Sequence, residues 1–208
     1  MRALFAPALV VLAPTFIAST ASAEPRSVGA FDSVRAQDAI RVDISRGDQF
    51  SVDVSGPEAA RVRTEINGTT LQISEINRPW FGHDRHVAAT IHVTMPRVAG
   101  IASAKGATVI AEDMLGSEIG LAASMGGELR VGGTCQTVSV TASMGGIIRA
   151  NDLRCAHATV AASMGGDVQV FASADYTASA SMGGEVHVAG GGARGRVATS
   201  MGGEVSQD

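Results

Sequence analysis

The chain has 208 residues and a formal net charge of −4, with 45% hydrophobic and 17% charged residues. Lys105 is its one lysine, and no Lys/Arg cluster occurs anywhere. That balance excludes the basic footprint of a nucleic-acid-binding protein, so no nucleic-acid partner is expected.

From its start, Arg2 precedes an apolar run from Ala3 to Ala18, followed by Ala21-Ser22-Ala23. A charged n-region, an apolar h-region and an A-x-A site predict a secretory signal peptide over residues 1–23, cut before Glu24. Pro7, Pro14 and the polar residues after Ala18 interrupt the run of about 20 apolar residues that a membrane anchor needs. Glu24, not Cys, stands directly after the cleavage site, which argues against a lipoprotein anchor, and no later stretch is apolar enough to cross a membrane. The expectation is an exported protein of the periplasm or the cell surface, not an integral membrane protein. Cleavage removes Arg2 and no acid, leaving 15 basic against 20 acidic residues, a net −5.

Residues 24–99 read as an N-terminal β-strand region, and residues 100–208 as a repeat region of the same domain. Ile40, Val42 and Ile44 alternate with polar residues, and so do Phe50, Val52 and Val54. With Arg46-Gly47-Asp48 between them they predict a hairpin, and that tripeptide reads as its polar turn rather than as an attachment motif. Pro57 to Glu65 reads as a short helical or irregular crossing. Asn67-Gly68 is a turn signal before Leu71 and Ile73. Val87, Ala89, Ile91, Val93 and Met95 form the longest alternating run, stopped by Pro96.

Ser-Met-Gly-Gly then recurs at Ser124, Ser143, Ser163, Ser181 and Ser200, in steps of 19, 20, 18 and 19 residues. Such a period marks a solenoid of stacked coils. Before each Ser, apolar and small polar residues alternate. Leu121, Val140, Val160, Ala178 and Val197 share one inward place; Ile119, Val138, Ala158, Tyr176 and Gly195 share another. After each Gly-Gly, Leu129, Ile148, Val168, Val186 and Val205 point inward, while Arg130, Arg149, Gln169, His187 and Ser206 point out. One corner lies at the repeated word, at Met125, Met144, Met164, Met182 and Met201. The other falls in linkers such as Gly132-Gly133-Thr134. Ile101 to Ala107 reads as a degenerate first copy, with Ser103 matched to Ser124. The predicted fold is all-β: a single-stranded parallel β-solenoid of about 19-residue coils, about five to six in number, with the N-terminal strands continuing or capping it.

Cys135 and Cys155 each stand eight residues before the next repeat's Ser, so they fall at one place on adjacent coils. Coils about 5 Å apart fit a disulfide, which an exported chain permits. Two ligands do not make a zinc site.

Phe31-Asp32-Ser33-Val34, the alternating strands, Asn67-Gly68-Thr69-Thr70-Leu71-Gln72-Ile73, Val93-Thr94-Met95-Pro96-Arg97-Val98 and the Ser/Gly-rich repeats occur in an order that resembles the bacterial head GIN domain, described as an auto-transporter adhesin. The resemblance spans roughly residues 27 to 205. It implies a β-solenoid of the cell envelope and brings no catalytic residues. Its repeats often read Ser-Gly-Ser-Gly-Asp, whereas Met takes the second place in all five copies of this chain.

Among candidate sites, the Met column suits a soft metal such as Cu(I), set against packing at the coil corner, which is the preferred reading because Met shares parity with the inward positions. Glu128, Ile147, Asp167, Glu185 and Glu204 form a column of acids broken by Ile147; it lacks the G-G-x-G-x-D pattern of calcium repeats and reads as a solvated face. His83 and His86 read as a polar loop tip, beside Trp80 and Phe81, which either mark a candidate contact loop for sugar or protein or fold back over the solenoid end, two readings of equal standing. The five repeated Ser residues have no His or Lys partner at a fixed offset, and aromatic content is 4%. No enzyme and no cofactor are therefore expected. The leading function is a non-catalytic envelope module, adhesin-like or scaffolding, with an unknown envelope protein or glycan as partner. A polysaccharide-binding or polysaccharide-degrading β-helix and a metal-binding solenoid are the alternatives.

Overall fold

The computed structural model describes residues 24–26, 28–76 and 87–208. The predicted signal peptide and the Trp80–His86 loop thus lie outside the described residues. The strands are β1 (Glu24–Arg26), β2 (Ser33–Ala36), β3 (Arg41–Arg46), β4 (Ser51–Ser55), β5 (Val62–Asn67), β6 (Thr70–Glu75), β7 (Thr90–Met95), β8 (Gly100–Ala104), β9 (Thr108–Ser124), β10 (Glu128–Ser143), β11 (Ile147–Ser163), β12 (Asp167–Ser181), β13 (Glu185–Ala189), β14 (Ala193–Ser200) and β15 (Glu204–Gln207). All belong to one hydrogen-bonded sheet that wraps on itself. Among the described residues, no helix is long and apolar enough to cross a membrane.

From β8 onward each coil lies parallel to and in register with the next. Val140 pairs with Leu121 on one side and Val160 on the other, and Leu129 stacks on Ile148, then Val168, Val186 and Val205. The two-residue period therefore places one apolar column above another on each wall, and the walls close on a core a few side chains thick. The predicted parallel β-solenoid is the observed fold. Leu71, Ile73 and Ile91 fill the core near the N-terminal end, and Leu129, Ile148, Leu153 and Tyr176 fill it further on beside the small Ala158, Ala162 and Ala180.

Three expectations are corrected. The far side of each coil is not a tight turn: β9 to β12 run through it as continuous strands of 15 to 17 residues that bend at register shifts, such as that between Arg130 and Gly133. The ladder stays hydrogen-bonded while the bulge supplies the curvature. In the last coil Tyr176 faces exposed Arg194 rather than Gly195. The third correction concerns β3 and β4, which form no hairpin. β7 lies between them, parallel to β3 and antiparallel to β4.

That insertion reflects how the N-terminal end is built. The β2–β3 coil stacks on the β8–β9 coil, and the later β6 and β7 stack on its other side. β4 and β5 then run antiparallel along β7 and β6 as a lid, with β1 outermost on β4. The lid satisfies an edge that would otherwise expose unpaired backbone. Asn67-Gly68 is the turn from β5 to β6, with Gly68 at φ +64°. A single 3-10 turn at Ala59–Arg61 bridges β4 and β5. Arg61 pairs with Glu58 and Glu75. Those two carboxylates, Glu58 first, raise the affinity of its guanidinium for the proton above the ordinary value.

Candidate functional site

The repeated corner is a two-residue turn. Gly127 N donates to Ser124 O at 2.9 Å, and the same bond closes the turns at Ser143, Ser163, Ser181 and Ser200. Its central residues, Met then Gly, both have positive φ: +49° at Met125, Met144 and Met164, +48° at Met182 and +45° at Met201, each followed by glycine between +72° and +77°. This is the mirror-image turn whose twist suits flanking strands. A second set of bonds runs along the axis, from Gly126 N to Met144 O and from Gly145 N to Met164 O, at 3.2 and 3.1 Å. The corners thus form their own ladder.

The two glycines of each word serve different needs. The first has open space around it and is there for its φ. The second lies against the preceding coil. A Cβ on Gly146 would stand 2.4 Å from Ala123 O, and one on Gly184 2.5 Å from Ala162 O.

The ladder extends beyond the five exact copies. Ala104, not Ser103, is the register partner of Ser124, which puts Lys105-Gly106 in the Met-Gly place, with Lys105 at φ +53°. Ser103 is instead buried and donates to Ala107 O at 2.6 Å. One coil further, Asp38-Ala39 forms the same corner at φ +67° and +54°, and Ala39 N donates to Lys105 O. Sequence reasoning found the first as a degenerate copy but set it one residue out, at Ser103, and missed the second. The Lys-Gly pair was the available signal for the first; Asp38-Ala39 leaves none.

The methionines are not core residues. Met125, Met144, Met164 and Met182 are 46 to 48% exposed, and Met201 is 77% exposed. The inside–outside alternation that gave them inward parity holds only for extended backbone, and it ends at the left-handed turn. The acid column beyond the corner is in register, Asp167 on Glu185 on Glu204, with Ile147 breaking it as read. Glu128, on the other side of Ile147, is paired with Arg130 and Arg149.

The wall that leads into the corner presents a different surface. Ser139, Thr159 and Thr177 form one exposed column. Beside it Ala122, Thr141, Ala161 and Ser179 form a second, all pointing outward. These side chains are all short, so the wall carries no long projections along the two columns, and the His157–Asp175 pair at 2.8 Å borders it. The opposite wall carries an open groove of about 710 Å³, lined by Ile110, Asp113, Arg130, Arg149 and Asn151 among others.

Cys135 and Cys155 are register partners with Cα atoms 4.6 Å apart, joined through their sulfurs across adjacent coils at the far bend. The closed loop has a sequence separation of 20. Cys155→Ser should lower stability by about 3 kcal/mol in chemical denaturation, and reduction of the wild type should lower it equally. A wild type unaffected by reductant would show that the bond does not form.

Of the candidate contact loop with Trp80, Phe81, His83 and His86, the described residues give only the flanks. Ile76 N donates to Arg61 O, and Ala88 N donates to Glu58 Oε2. Both ends of the loop are therefore clamped to one short segment of the lid.

Together these features define a parallel β-solenoid, lidded at its N-terminal end, with one wall of short outward side chains and one ridge of repeated corners. The chain belongs to the family described as "putative auto-transporter adhesin, head GIN domain", whose profile matches residues 30–192. The family resemblance of the sequence is thereby established. Among solved structures it is similar to a "putative adhesin" from Bacteroides fragilis, at 15% identity over 92% of this chain and 98% of that one, with a TM-score of 0.72. It is also similar to a "putative adhesin" from Parabacteroides distasonis, at 13% identity over 91% and 97% of the two chains, with a TM-score of 0.53. At these identities the likeness is one of fold. No curated protein sequence matches the chain.

Proposed function

We propose that this chain is an exported cell-envelope module that works by contact, as an adhesin-like or scaffolding surface, and not by catalysis. The observation that carries this reading is the short-side-chain wall of β9 to β12, where Ser139, Thr159, Thr177, Thr141 and Ser179 stand outward in register. Such a wall is built by hydrogen bonds along its whole length and by side chains with few rotamers. A partner that lies flat on it orders little on binding. Hydroxyls at regular spacing offer both donors and acceptors to a glycan or to a protein backbone. The family membership supports the same reading, and the leader read over residues 1–23 supports export.

The test is capture of envelope material by immobilised residues 24–208, alongside a glycan array monitored for turnover. Thr141→Arg with Thr159→Arg places two long charged side chains on the wall. The pair should abolish capture while changing stability by less than about 1 kcal/mol, as surface substitutions do. Capture unaffected by the pair would remove the wall from the function. Turnover of any glycan would overturn the non-catalytic reading.

A further inference from the structure

The methionine ridge has no structural reason to be methionine. Packing does not require it, because Met125, Met144, Met164 and Met182 are about half exposed. Backbone preference does not favour it either. A left-handed residue at the first centre of such a turn is best served by Gly, Asn or Asp, and other side chains cost roughly 1–2 kcal/mol there. The chain itself shows that the corner accepts other residues, since Asp38 and Lys105 occupy the same place in the earlier coils. Yet five successive corners carry the same thioether in a disfavoured conformation. Strain repeated at one exposed position points to use.

The spacing indicates the use. In-register coils lie about 4.8 Å apart. Two metal–sulfur bonds of about 2.3 Å each span nearly that distance. The corners that carry these side chains stack directly, with Gly126 N donating to Met144 O, Gly145 N to Met164 O, Gly165 N to Met182 O and Gly183 N to Met201 O. Exposure is 77% at Met201, which has no methionine beyond it, and 46 to 48% in the four that do. An unbranched side chain with three rotatable bonds can bring adjacent sulfurs to a shared ion with little backbone movement. Thioethers are neutral and soft, so they select Cu(I) or Ag(I) over the hard divalent cations. Asp167, Glu185 and Glu204 stack beside the last three of these corners, with no ion-pair partner among the described residues. They add a negative field that draws a cation to the ridge.

We propose that the ridge formed by Met125, Met144, Met164, Met182 and Met201 is a binding site for soft monovalent metal ions, each held between the sulfurs of methionines on adjacent coils. The site is separate from the short-side-chain wall, so its failure would leave the contact function intact. The experiment uses residues 24–208 with the disulfide intact. Cu(I) is supplied without oxygen against a chromophoric Cu(I) chelator, Ag(I) is titrated in parallel, and X-ray absorption is recorded at the copper edge. The expected result is withdrawal of Cu(I) from the chelator and a ligand shell of sulfur alone. The variant Met144→Leu/Met164→Leu/Met182→Leu keeps the bulk of each side chain and should lose at least tenfold in affinity with an unchanged melting curve. A wild type that leaves the chelator loaded, a shell dominated by nitrogen, or equal binding by the folded leucine variant would each overturn the proposal. The wild-type absorption spectrum decides the matter even if the leucine variant does not fold.

Discussion

Val140→Asp is expected to destroy the cooperative unfolding transition, while Thr141→Asp, one residue on, should leave it within about 1 kcal/mol of wild type. Val140 is 2% exposed between Leu121 and Val160, in a core where Asp38 and Ser103 are the buried polar residues among the described ones. A carboxylate there must be buried unpaired or take up a proton, and the valine contacts are lost as well. The combined penalty of about 5 kcal/mol matches the whole stability of many domains. Thr141 points outward between Ala122 and Ala161, so its replacement keeps its water. Denaturant melts and amide exchange of the two variants measure the difference. Equal effects would contradict the assignment of the inner column.

A second large effect is expected at the other glycine of the corner. Gly146→Val should destabilise by about 3 kcal/mol or more, and Gly145→Ala by about 1 kcal/mol. A side chain on Gly146 meets the carbonyl carbon and oxygen of Ala123 at 2.5 and 2.4 Å, backbone atoms fixed by the ladder. Gly145 has nothing within 4 Å, and only its φ of +73° opposes a Cβ. Ala107 and Ile40 hold the Gly146 place in the earlier corners, both buried, so the fold admits side chains at that place there. The same substitution is therefore prohibitive in one coil and native in another. Denaturant midpoints of the two variants test this ordering, and a Gly145→Ala penalty as large as that of Gly146→Val would refute it.

The repeat region was legible because its signal is redundant. Each inward column is written in successive coils, and one register error would have broken them all. The Leu129-to-Val205 column and the paired cysteines needed only counting. The N-terminal half offered no such redundancy. Alternation identified β3, β4 and β7 as strands, but it carries no record of which strand lies beside which. A polar Gly turn between β3 and β4 favoured the local pairing, and β7 displaced it from about 40 residues away in sequence. Ser103 misled for a related reason. A matching letter outweighed the Lys-Gly pair, whose resemblance to Met-Gly lies in backbone conformation, not in chemistry. The methionines were misplaced inward because parity was carried through a turn where it has no meaning.

The interleaving of the N-terminal coils also sets a direction on assembly. The β2–β3 coil lies between partners that come about 40 to 70 residues later, so that part of the chain condenses only as a whole, after β7, β8 and the start of β9 exist. Every coil after that needs only its predecessor, whose free backbone groups serve as a template. The slow, entropically expensive search is thus confined to the first hundred or so residues, and the remainder can zip on in the order in which it is synthesised. The molecule carries its nucleus at the end that is made first.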